Sequence, residues 1–246
     1  MTAPVFVVDD FATDGSGRHV LDGPEGRHAV AVKRLRAGEA VVLTDGAGRW
    51  AEGEVDGTEG KDRLIVRLGH VVEEPEEFPR LTVVQALPKG DRGEVAVETM
   101  TEVGVDVIVP WSASRCITQW KGERGLKSLA KWRATAREAG KQSRRVRFPR
   151  VSDAATTKQV ASLLAEADFA AVLHESGVEP LATAGLPASG DVVLVVGPEG
   201  GVSPEELAAF EGAGARAYRL GRSVLRTSTA GTAAGALLLG RTGRWS

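Results

Sequence analysis

The chain has 246 residues, of which 42% are hydrophobic and 26% are charged, and its net charge is −2. The length suits one large domain or a small and a medium one, and the composition is too polar for a membrane protein. A single cysteine, Cys116, excludes an intrachain disulfide framework and a cysteine-based metal site, and the four histidines lack ligand spacing. The acidic N-terminus does not resemble a signal peptide. We therefore expect a cytoplasmic protein that binds no metal ion.

Short strands dominate the first 75 residues. β-Branched and apolar residues predict strands at residues 5–8, 39–43, 50–55 and 64–72, and a short helix is predicted at residues 28–35. Prolines and acidic residues at positions 73–79 predict a linker. The first domain is expected to be a small β-barrel.

The pattern changes after this linker. Apolar runs predict buried strands at residues 81–87, 105–110, 169–173, 192–196 and 217–220. Helices are predicted between them, at residues 94–102, 126–142, 158–167, 204–211 and 227–239. Because strands that are apolar throughout alternate with helices, we expect an α/β domain from residue 78 to the end, with a parallel sheet covered on both faces.

A strongly basic segment lies within this domain. From residue 115 to 150 there are twelve Lys and Arg against two Glu, a net charge of +10 that leaves −12 for the rest of the chain. Charge runs are usually solvated faces, but a basic island on an acidic body is typical of a surface that binds nucleic-acid phosphates. Arg133, Arg137 and Lys141 follow an i, i+4, i+8 stripe that is expected to face outward, opposite Leu129 and Trp132.

The most informative motif is a glycine-rich turn after the valine strand. Residues 197–201 (Gly-Pro-Glu-Gly-Gly) follow Val196, and Ser203 with Glu206 predicts a capping box at the start of the next helix. Glycines let a ligand approach the backbone at the carboxyl end of a strand, where open α/β sheets bind ligands. The alternative is a plain strand-to-helix turn. The spacing matches neither the dinucleotide fingerprint nor a P-loop.

A second motif is the loop before the last helix. Residues 220–226 connect a strand to a helix start near Thr227, and the small residues that follow predict close helix packing. Arg226 lies in this loop beside Val224 and Leu225, and a guanidinium in apolar surroundings needs a partner or an anion. The alternative is that Arg226 anchors the loop by binding carbonyl oxygens.

Together these motifs resemble the RsmE-type family of the SPOUT superfamily, the 16S rRNA (uracil-1498-N3) methyltransferases. The resemblance rests on residues 197–201, on Leu220-Gly221 and on residues 224–227, with further matches at residues 86–90, 101–105, 111–115 and 141–145. In the first domain His28, Leu35-Arg36, Gly38 and Asp45-Gly46 match the family's PUA-like barrel. The resemblance covers nearly the whole chain.

The resemblance implies features that no periodicity could show. It implies a PUA-like RNA-binding barrel (residues 1–75), a SPOUT-type parallel sheet with a C-terminal trefoil knot (residues 78–246), and a homodimer. It also implies S-adenosyl-L-methionine (AdoMet) as the cofactor and 16S rRNA, within the small ribosomal subunit, as the partner. The cofactor-binding residues carried over are Leu173, His174, Glu175, Val196, Gly197, Pro198, Glu199, Gly200, Gly201, Leu220, Gly221, Val224, Leu225 and Arg226. Two positions depart from the family, because Ser228 and Lys141 stand where many members have Glu.

The implied reaction requires that N3 of uracil lose its proton before it attacks the methyl group. Arg226 is the candidate catalytic cation that stabilises the uracil anion, and Glu199 is the candidate base. A Glu beside glycines is as often structural. The residues predicted to bind RNA are Arg36, Lys89, Arg115, Arg133, Arg137, Lys141, Gln142, Ser143, Arg144 and Arg145.

Three other functions compete with this one. Another SPOUT methyltransferase would act on a ribose 2′-hydroxyl or on a different base. A non-catalytic RNA-binding assembly factor would use the glycine turn only structurally and would not bind AdoMet. A nucleotide-phosphate enzyme would use the same turn as an anion site, but the chain lacks the metal-binding acids and P-loop lysine of such enzymes.

Overall fold

The structure, a computed structural model, describes residues 3–245. These residues form two compact units. The first unit comprises the residues up to Glu76 together with Gly140–Phe148, and the second comprises Glu77–Ala139 and the residues from Pro149 onward. Across residues 3–245 no helix combines the length and the apolar character that a membrane span requires.

A mostly antiparallel sheet of six strands builds the first unit. The strands are β1 (Val5–Val7), β2 (Arg18–Leu21), β3 (Ala40–Thr44), β4 (Arg49–Glu59), β5 (Arg63–Leu68) and β6 (Val72–Glu73). Their order is β1-β3-β4-β5-β2, with β6 paired to β4. Phe6, Leu43 and Leu64 are fully buried at the centre of this unit's own apolar core. The strands predicted at residues 5–8, 39–43 and 50–55 are confirmed, whereas the one predicted at residues 64–72 is divided into β5, which ends at Leu68, and β6, which begins at Val72. Strand β2 is missing from the prediction because Arg18 and His19 obscure its apolar alternation.

The helix predicted at residues 28–35 begins earlier than expected. Helix α1 (Gly23–Arg27) has Pro24 in its first turn, a position that favours helix initiation, and it continues into a π-helical turn at His28–Val32. Ala29 is fully buried and packs in the core of the unit. The sequence prediction therefore found the apolar side of this helical segment but not its proline-containing start.

Residues Gly140–Phe148 pack within the first unit, although the sequence prediction places them in the second domain. The ring of Phe148 lies so close to the backbone of Gly140 that a β-carbon there would clash. The Lys141 ammonium forms an ion pair with Glu25 at 2.9 Å, and the two side chains are only 7% and 13% exposed. The prediction that Lys141 belongs to an outward, RNA-facing stripe is therefore wrong. Regular helical spacing shows which residues share a face, but not whether that face meets solvent. At Lys141 the face packs against other residues of the first unit.

Replacing Lys141 tests this assignment to the packed interior. We expect Lys141→Ala to lower the free energy of unfolding by about 3 kcal/mol, because the mostly buried Glu25 carboxylate would lose the counter-charge of Lys141. Chemical denaturation measures the loss. The matched control is Lys127→Ala, which truncates an exposed lysine of the same helix and should change stability by less than about 0.5 kcal/mol. Equal losses in the two variants would contradict a stabilising buried pair.

The second unit contains a seven-stranded sheet in which every strand pair is parallel. The strands are β7 (Arg80–Ala86), β8 (Val107–Trp111), β9 (Arg150–Val151), β10 (Phe169–Leu173), β11 (Glu179–Pro180), β12 (Asp191–Val196) and β13 (Arg216–Arg219). The helices are α2 (Arg92–Val103), α3 (Gly122–Gln142), α4 (Thr157–Ala165), α5 (Pro204–Gly212) and α6 (Thr227–Arg241). The last turn of α3, from Gly140, belongs to the first unit.

The α/β architecture and its parallel sheet are confirmed. The strand order is β11-β13-β10-β12-β7-β8-β9. Every predicted strand and helix of this unit is present, whereas the two-residue strands β9 and β11 and a 3-10 helical turn at Leu181–Thr183 are missing from the prediction. The trefoil knot stays a prediction.

Small residues bring the last helix close to the sheet. A β-carbon at Gly231 would lie 2.8 Å from the Sδ of Met100 in α2 and 3.4 Å from a methyl group of Val83 in β7. Ala234 and Gly235 are also buried on α6. The predicted close packing of this helix is therefore confirmed, and it fixes the start of α6 relative to the sheet.

Candidate active site

Three predicted cofactor segments leave the sheet at one edge. Strands β13, β10 and β12 are adjacent and parallel, so their carboxyl ends lie side by side. Residues 220–226 follow β13, residues 173–175 end β10 and continue from it, and residues 197–201 follow β12. The glycine turn and the arginine loop therefore lie on the same side of the sheet, as a single ligand pocket requires.

The glycine turn exposes its backbone. Gly201 has a φ of 75°, which favours glycine, and its N–H donates to the carbonyl of Pro198 at 2.9 Å. A β-carbon at Gly197 would lie 2.9 Å from a methyl group of Val202. The backbone at Gly200 and Gly201 is exposed, whereas Val196 and Pro198 are buried. The turn therefore offers open backbone on a buried apolar base.

Two basic segments contact this turn. The Glu199 carboxylate accepts a hydrogen bond from the backbone N–H of Lys89 at 3.2 Å. The Arg115 guanidinium donates to the carbonyl oxygen of Gly200 at 3.1 Å. Both contacts occur within the second unit. They place the residues after β7 and after β8 beside the glycine turn.

The arginine loop ends at a helix start that is bonded to β7. The Gln85 side-chain amide donates to the carbonyl of Thr227 at 3.2 Å and to that of Ala86 at 3.1 Å. Val224 and Leu225 are 86% and 40% exposed. Arg226 is the exposed N-cap residue of α6, and among residues 3–245 its guanidinium has no hydrogen-bond or ion-pair partner. This geometry favours a cation available to a ligand over a loop anchor.

The loop after β10 is bonded to the end of β13. The His174 N–H donates to the carbonyl of Tyr218 at 3.0 Å, and His174 Nδ1 accepts from the Ser176 N–H at 3.1 Å. A β-carbon at Gly177 would lie 2.6 Å from the Tyr218 backbone. Leu173 is half-buried and Glu175 is exposed. Residues 173–175, three of the predicted cofactor-binding residues, thus belong to the middle one of the three loops.

The sequence prediction did not assign Gln85 and Glu206 to the site. Gln85 is fully buried near the end of β7, and its Oε1 has no hydrogen-bond partner among the described residues. Glu206 forms the predicted capping box with Ser203, and it also accepts from the Ser114 N–H at 2.7 Å and from the Thr157 hydroxyl at 3.1 Å. A polar residue inside the run Val83-Val84-Gln85-Ala86 is the signal that could have identified the first.

Most predicted RNA-binding side chains reach the surface. The exposed ones are Arg36, Lys89, Arg115, Arg133, Arg137, Gln142 and Arg144, the half-buried ones are Ser143 and Arg145, and Lys141 is buried. Arg133 already donates to the Val151 carbonyl at 3.1 Å and to Asp153 at 2.9 Å. Arg144 has a φ of 60°, unusual for a non-glycine residue. The roles of these residues stay predictions.

Cys116 is unsuited to act as a nucleophile. Burial raises the pKa of its thiol above the usual value, and nearby Glu199 and Glu206 raise it further. The thiol is therefore protonated at neutral pH. Among residues 3–245 no three potential ligands of a metal ion come together.

The chain matches families of known activity. The profile of an RNA methyltransferase domain matches residues 75–239, and that of an RNA methyltransferase PUA domain matches residues 21–69. The ribosomal RNA small subunit methyltransferase E of Mycobacterium bovis is 43% identical over 249 aligned residues, which cover 100% of this chain and 94% of that protein. The Bacillus subtilis protein of the same name is 27% identical, with 85% of each chain covered.

Solved structures agree with these sequence matches. A methyltransferase from Legionella pneumophila, solved with its bound cofactor S-adenosyl methionine, has a TM-score of 0.85 and 26% identity, with 98% of each chain covered. The small subunit methyltransferase E of Neisseria gonorrhoeae, bound to S-adenosyl methionine, has a TM-score of 0.84 and 28% identity, again with 98% of each covered. Since the domain profile spans most of the chain and the mycobacterial protein matches its full length, this chain belongs to the ribosomal RNA small subunit methyltransferase E family.

Proposed function

We propose that this chain transfers the methyl group of AdoMet to N3 of a uridine in 16S rRNA, at the position equivalent to uracil 1498. The observation that carries the proposal is the convergence of three loops at the carboxyl ends of β13, β10 and β12. Two related structures hold S-adenosyl methionine, and the relatives are named as enzymes of small-subunit rRNA.

The three loops fit an AdoMet molecule. The open backbone at Gly200 can donate its N–H, the exposed backbone at Gly201 permits close contact, and Gly221 has nothing within 4 Å of the position of a β-carbon. Leu220 and Leu225 are partly exposed apolar side chains that suit the uncharged parts of the cofactor. In this proposal residues 173–175, 196–201, 220–221 and 224–226 hold AdoMet.

Arg226 is the residue that we assign to the chemistry. Bound AdoMet supplies an electrophilic methyl group, so the protein has to orient the acceptor and stabilise its charge. Arg226 stays protonated and can donate to the carbonyl oxygens on either side of uracil N3, which favours the N3 anion. The guanidinium lies exposed beside the cofactor loops without a partner among residues 3–245.

Two roles are open to Glu199: it can act as the catalytic base, or it can position a neighbouring segment. The sequence predicts it as the base that accepts the N3 proton. The structure gives its carboxylate a bond to the Lys89 N–H, which would position the segment after β7. A carboxylate with one oxygen already engaged can still accept a proton on the other, so we keep Glu199 as the proposed base with Arg226 as the larger contribution.

The RNA would be bound by basic residues in each of the two units. Arg36, Arg144 and Arg145 belong to the first unit, and Lys89 and Arg115 contact or adjoin the glycine turn in the second. We also propose that the enzyme acts as a cytoplasmic homodimer on the small ribosomal subunit, in keeping with the resemblance to its family.

Mapping of rRNA nucleosides tests the proposed reaction. In cells that lack the gene, 3-methyluridine should disappear from one position of 16S rRNA and return when the wild-type gene is restored. Calorimetry of the purified chain with AdoMet should detect binding at one site per chain. An unchanged nucleoside profile would contradict the proposed reaction, and absent AdoMet binding would favour a non-catalytic RNA-binding factor.

Charge reversal in the basic segment tests the proposed RNA surface of the first unit. We expect Arg144→Glu with Arg145→Glu to weaken rRNA binding at least tenfold at low salt and to flatten its salt dependence, because fewer counterions are released on binding. Filter binding across a salt series measures both. Affinity for AdoMet should not change. Lys158→Glu, an exposed lysine on α4 outside the basic segment, is the control, and equal weakening by it would argue for general charge repulsion.

A further inference from the structure

A cavity of about 600 Å³ opens in the second unit next to the glycine turn. Its walls come from the residues on both sides of Lys89, from the start of α2, from residues 117–121 and from α3. Lys89 is bonded to Glu199, and Ile117 in the wall follows closely after Arg115, which is bonded to Gly200. The cavity therefore adjoins the proposed methyl-transfer site through two separate segments. Its volume suits a small organic group.

A tryptophan pair forms one wall of this cavity. The rings of Trp120 and Trp132 are 4.9 Å apart and meet edge to face at 79°. Trp132 is only 2% exposed, while Trp120 is half-buried and lines the cavity. A β-carbon at Gly93 would lie 2.7 Å from the Trp132 indole, and one at Gly125 would lie 2.8 Å from the Trp120 backbone. The two glycines thus allow a tightly packed aromatic platform.

The carboxylate of Glu94 also lines the cavity. The Oε1 of Glu94 pairs with Lys131 at 3.1 Å. Its Oε2 is buried and, among the described residues, has no hydrogen-bond partner. An ionised carboxylate accepts several hydrogen bonds, and the Glu94 side chain is 22% exposed, so its accessible part can accept an N–H or O–H group of a ligand. The salt bridge to Lys131 offsets the negative charge that would otherwise repel an anionic ligand.

Cations border the cavity on its α3 side. Lys121 and Arg124 line it, both are exposed, and neither has an ion-pair partner among residues 3–245. Ile117, which is 72% exposed, adds an apolar surface beside them. An aromatic wall, a carboxylate acceptor and exposed cations together match the three parts of a nucleotide: a flat base, its ring N–H and its phosphate.

We propose that this cavity binds one nucleobase of the substrate RNA, stacked on Trp120 with a ring N–H donated to Glu94, while Lys121 and Arg124 contact the adjoining phosphates. The proposal rests on the proposed function, since it takes RNA as the substrate. A base held here would lie out of its stack, beside the glycine turn. Recognition of this kind is common for single-stranded RNA, whose unstacked bases lie on aromatic side chains.

Binding of two ten-nucleotide RNAs tests the stacking. One probe is oligouridylate, and the other carries the same ribose-phosphate backbone without bases. We expect Trp120→Ala to weaken binding of oligouridylate about 5- to 100-fold and to leave the abasic probe unaffected. Trp120→Phe, which keeps an aromatic ring against Trp132, should retain most of the affinity. Trp245→Ala removes a tryptophan outside the cavity and should change neither affinity.

Equal binding of oligouridylate by the wild type and Trp120→Ala would overturn the proposal, as would equal weakening for both probes, since the cavity would then contact no base. A loss of AdoMet affinity in Trp120→Ala would also overturn it, because the cavity would then belong to the cofactor. The wild type reports separately on the proposed function through AdoMet binding and 3-methyluridine formation. If the wild type methylates rRNA but Trp120→Ala binds oligouridylate as tightly as the wild type, only the proposed role of the cavity is rejected and the proposed function stands.

A second pair of probes tests the role of Glu94. Oligo-3-methyluridylate lacks the ring N–H, so the wild type should bind it several-fold more weakly than oligouridylate. In Glu94→Ala this preference should disappear, because no acceptor remains for the N–H. A preference that survives in Glu94→Ala would overturn the assignment of Glu94 as the acceptor.

Discussion

Arg226→Ala is expected to slow methyl transfer by about 10²- to 10³-fold, the usual effect of removing one donor that stabilises a developing anion. Affinity for AdoMet should fall only slightly, because the proposed cofactor contacts of this loop come mainly from its backbone and from Leu225. Arg226→Lys keeps the charge but loses the planar set of donors, so an intermediate rate is expected. Single-turnover methylation of rRNA measures the chemical step directly.

The pH dependence separates a catalytic role of Arg226 from a structural one. Uracil N3 ionises on its own only in alkaline solution, so the loss in Arg226→Ala should shrink as pH rises and the anion forms without help. A loop anchor would instead give a loss that is independent of pH and accompanied by weaker AdoMet binding. That second pattern would contradict the assignment of Arg226 to the reaction.

The elements of the second unit were predictable because their apolar runs are long and uninterrupted. Residues 192–196 are all Val or Leu and form the buried strand β12, and the Ser203–Glu206 capping box fixes the start of α5. The two-residue strand β11 carries no such signal, since Glu179 and Pro180 are both exposed. Element length and burial therefore decide what sequence patterns reveal.

The sequence identified the loops of the candidate site, but not the hydrogen bonds that hold these loops in place. The segments 197–201 and 220–226 stand out by their glycines and by an arginine in an apolar stretch. The bonds that join them to the rest of the sheet come from the buried side chain of Gln85 and from the Lys89 backbone. Such contacts link residues more than a hundred positions apart, and no local pattern specifies which donor meets which acceptor.

Lys141 shows the limit of helical periodicity. Its i, i+4, i+8 spacing from Arg133 places it on the charged stripe, yet the end of α3 packs in a different unit from its start. The burial of one lysine against Glu25 could be inferred only from tertiary contacts. Many family members have Glu at the position of Lys141. In this chain a Glu at that position would place two negative charges together, whereas Lys141 pairs with Glu25.

The largest loss of stability is expected where Arg244 is buried between two carboxylates. Its guanidinium contacts Asp106 at 2.5 Å and Glu77 at 2.7 Å, and its side chain is only 7% exposed. Asp106 also accepts from the Leu81 N–H at 2.8 Å, so it joins the chain's last described residues to the start of β7. Burial by itself lowers the pKa of Arg244, but the bonds to Asp106 and Glu77 outweigh this and raise it.

Arg244→Met should therefore lower the free energy of unfolding by about 3–5 kcal/mol, because the Asp106 carboxylate, in a side chain only 15% exposed, would lose its counter-charge. Denaturant unfolding followed by tryptophan fluorescence measures the loss. Arg80 and Asp191 provide a matched comparison, since they also pair at 2.7 Å but are 44% and 37% exposed. Arg80→Met should cost less than about 1 kcal/mol.

Adding Asp106→Asn to Arg244→Met should restore part of the lost stability, because neither partner then leaves an uncompensated charge. The restored fraction measures how much of the loss comes from the missing counter-charge of Asp106 rather than from packing. If the double variant were less stable than Arg244→Met by the full cost of Asp106→Asn alone, the two effects would be additive. The ion pair would then not be what holds these segments together.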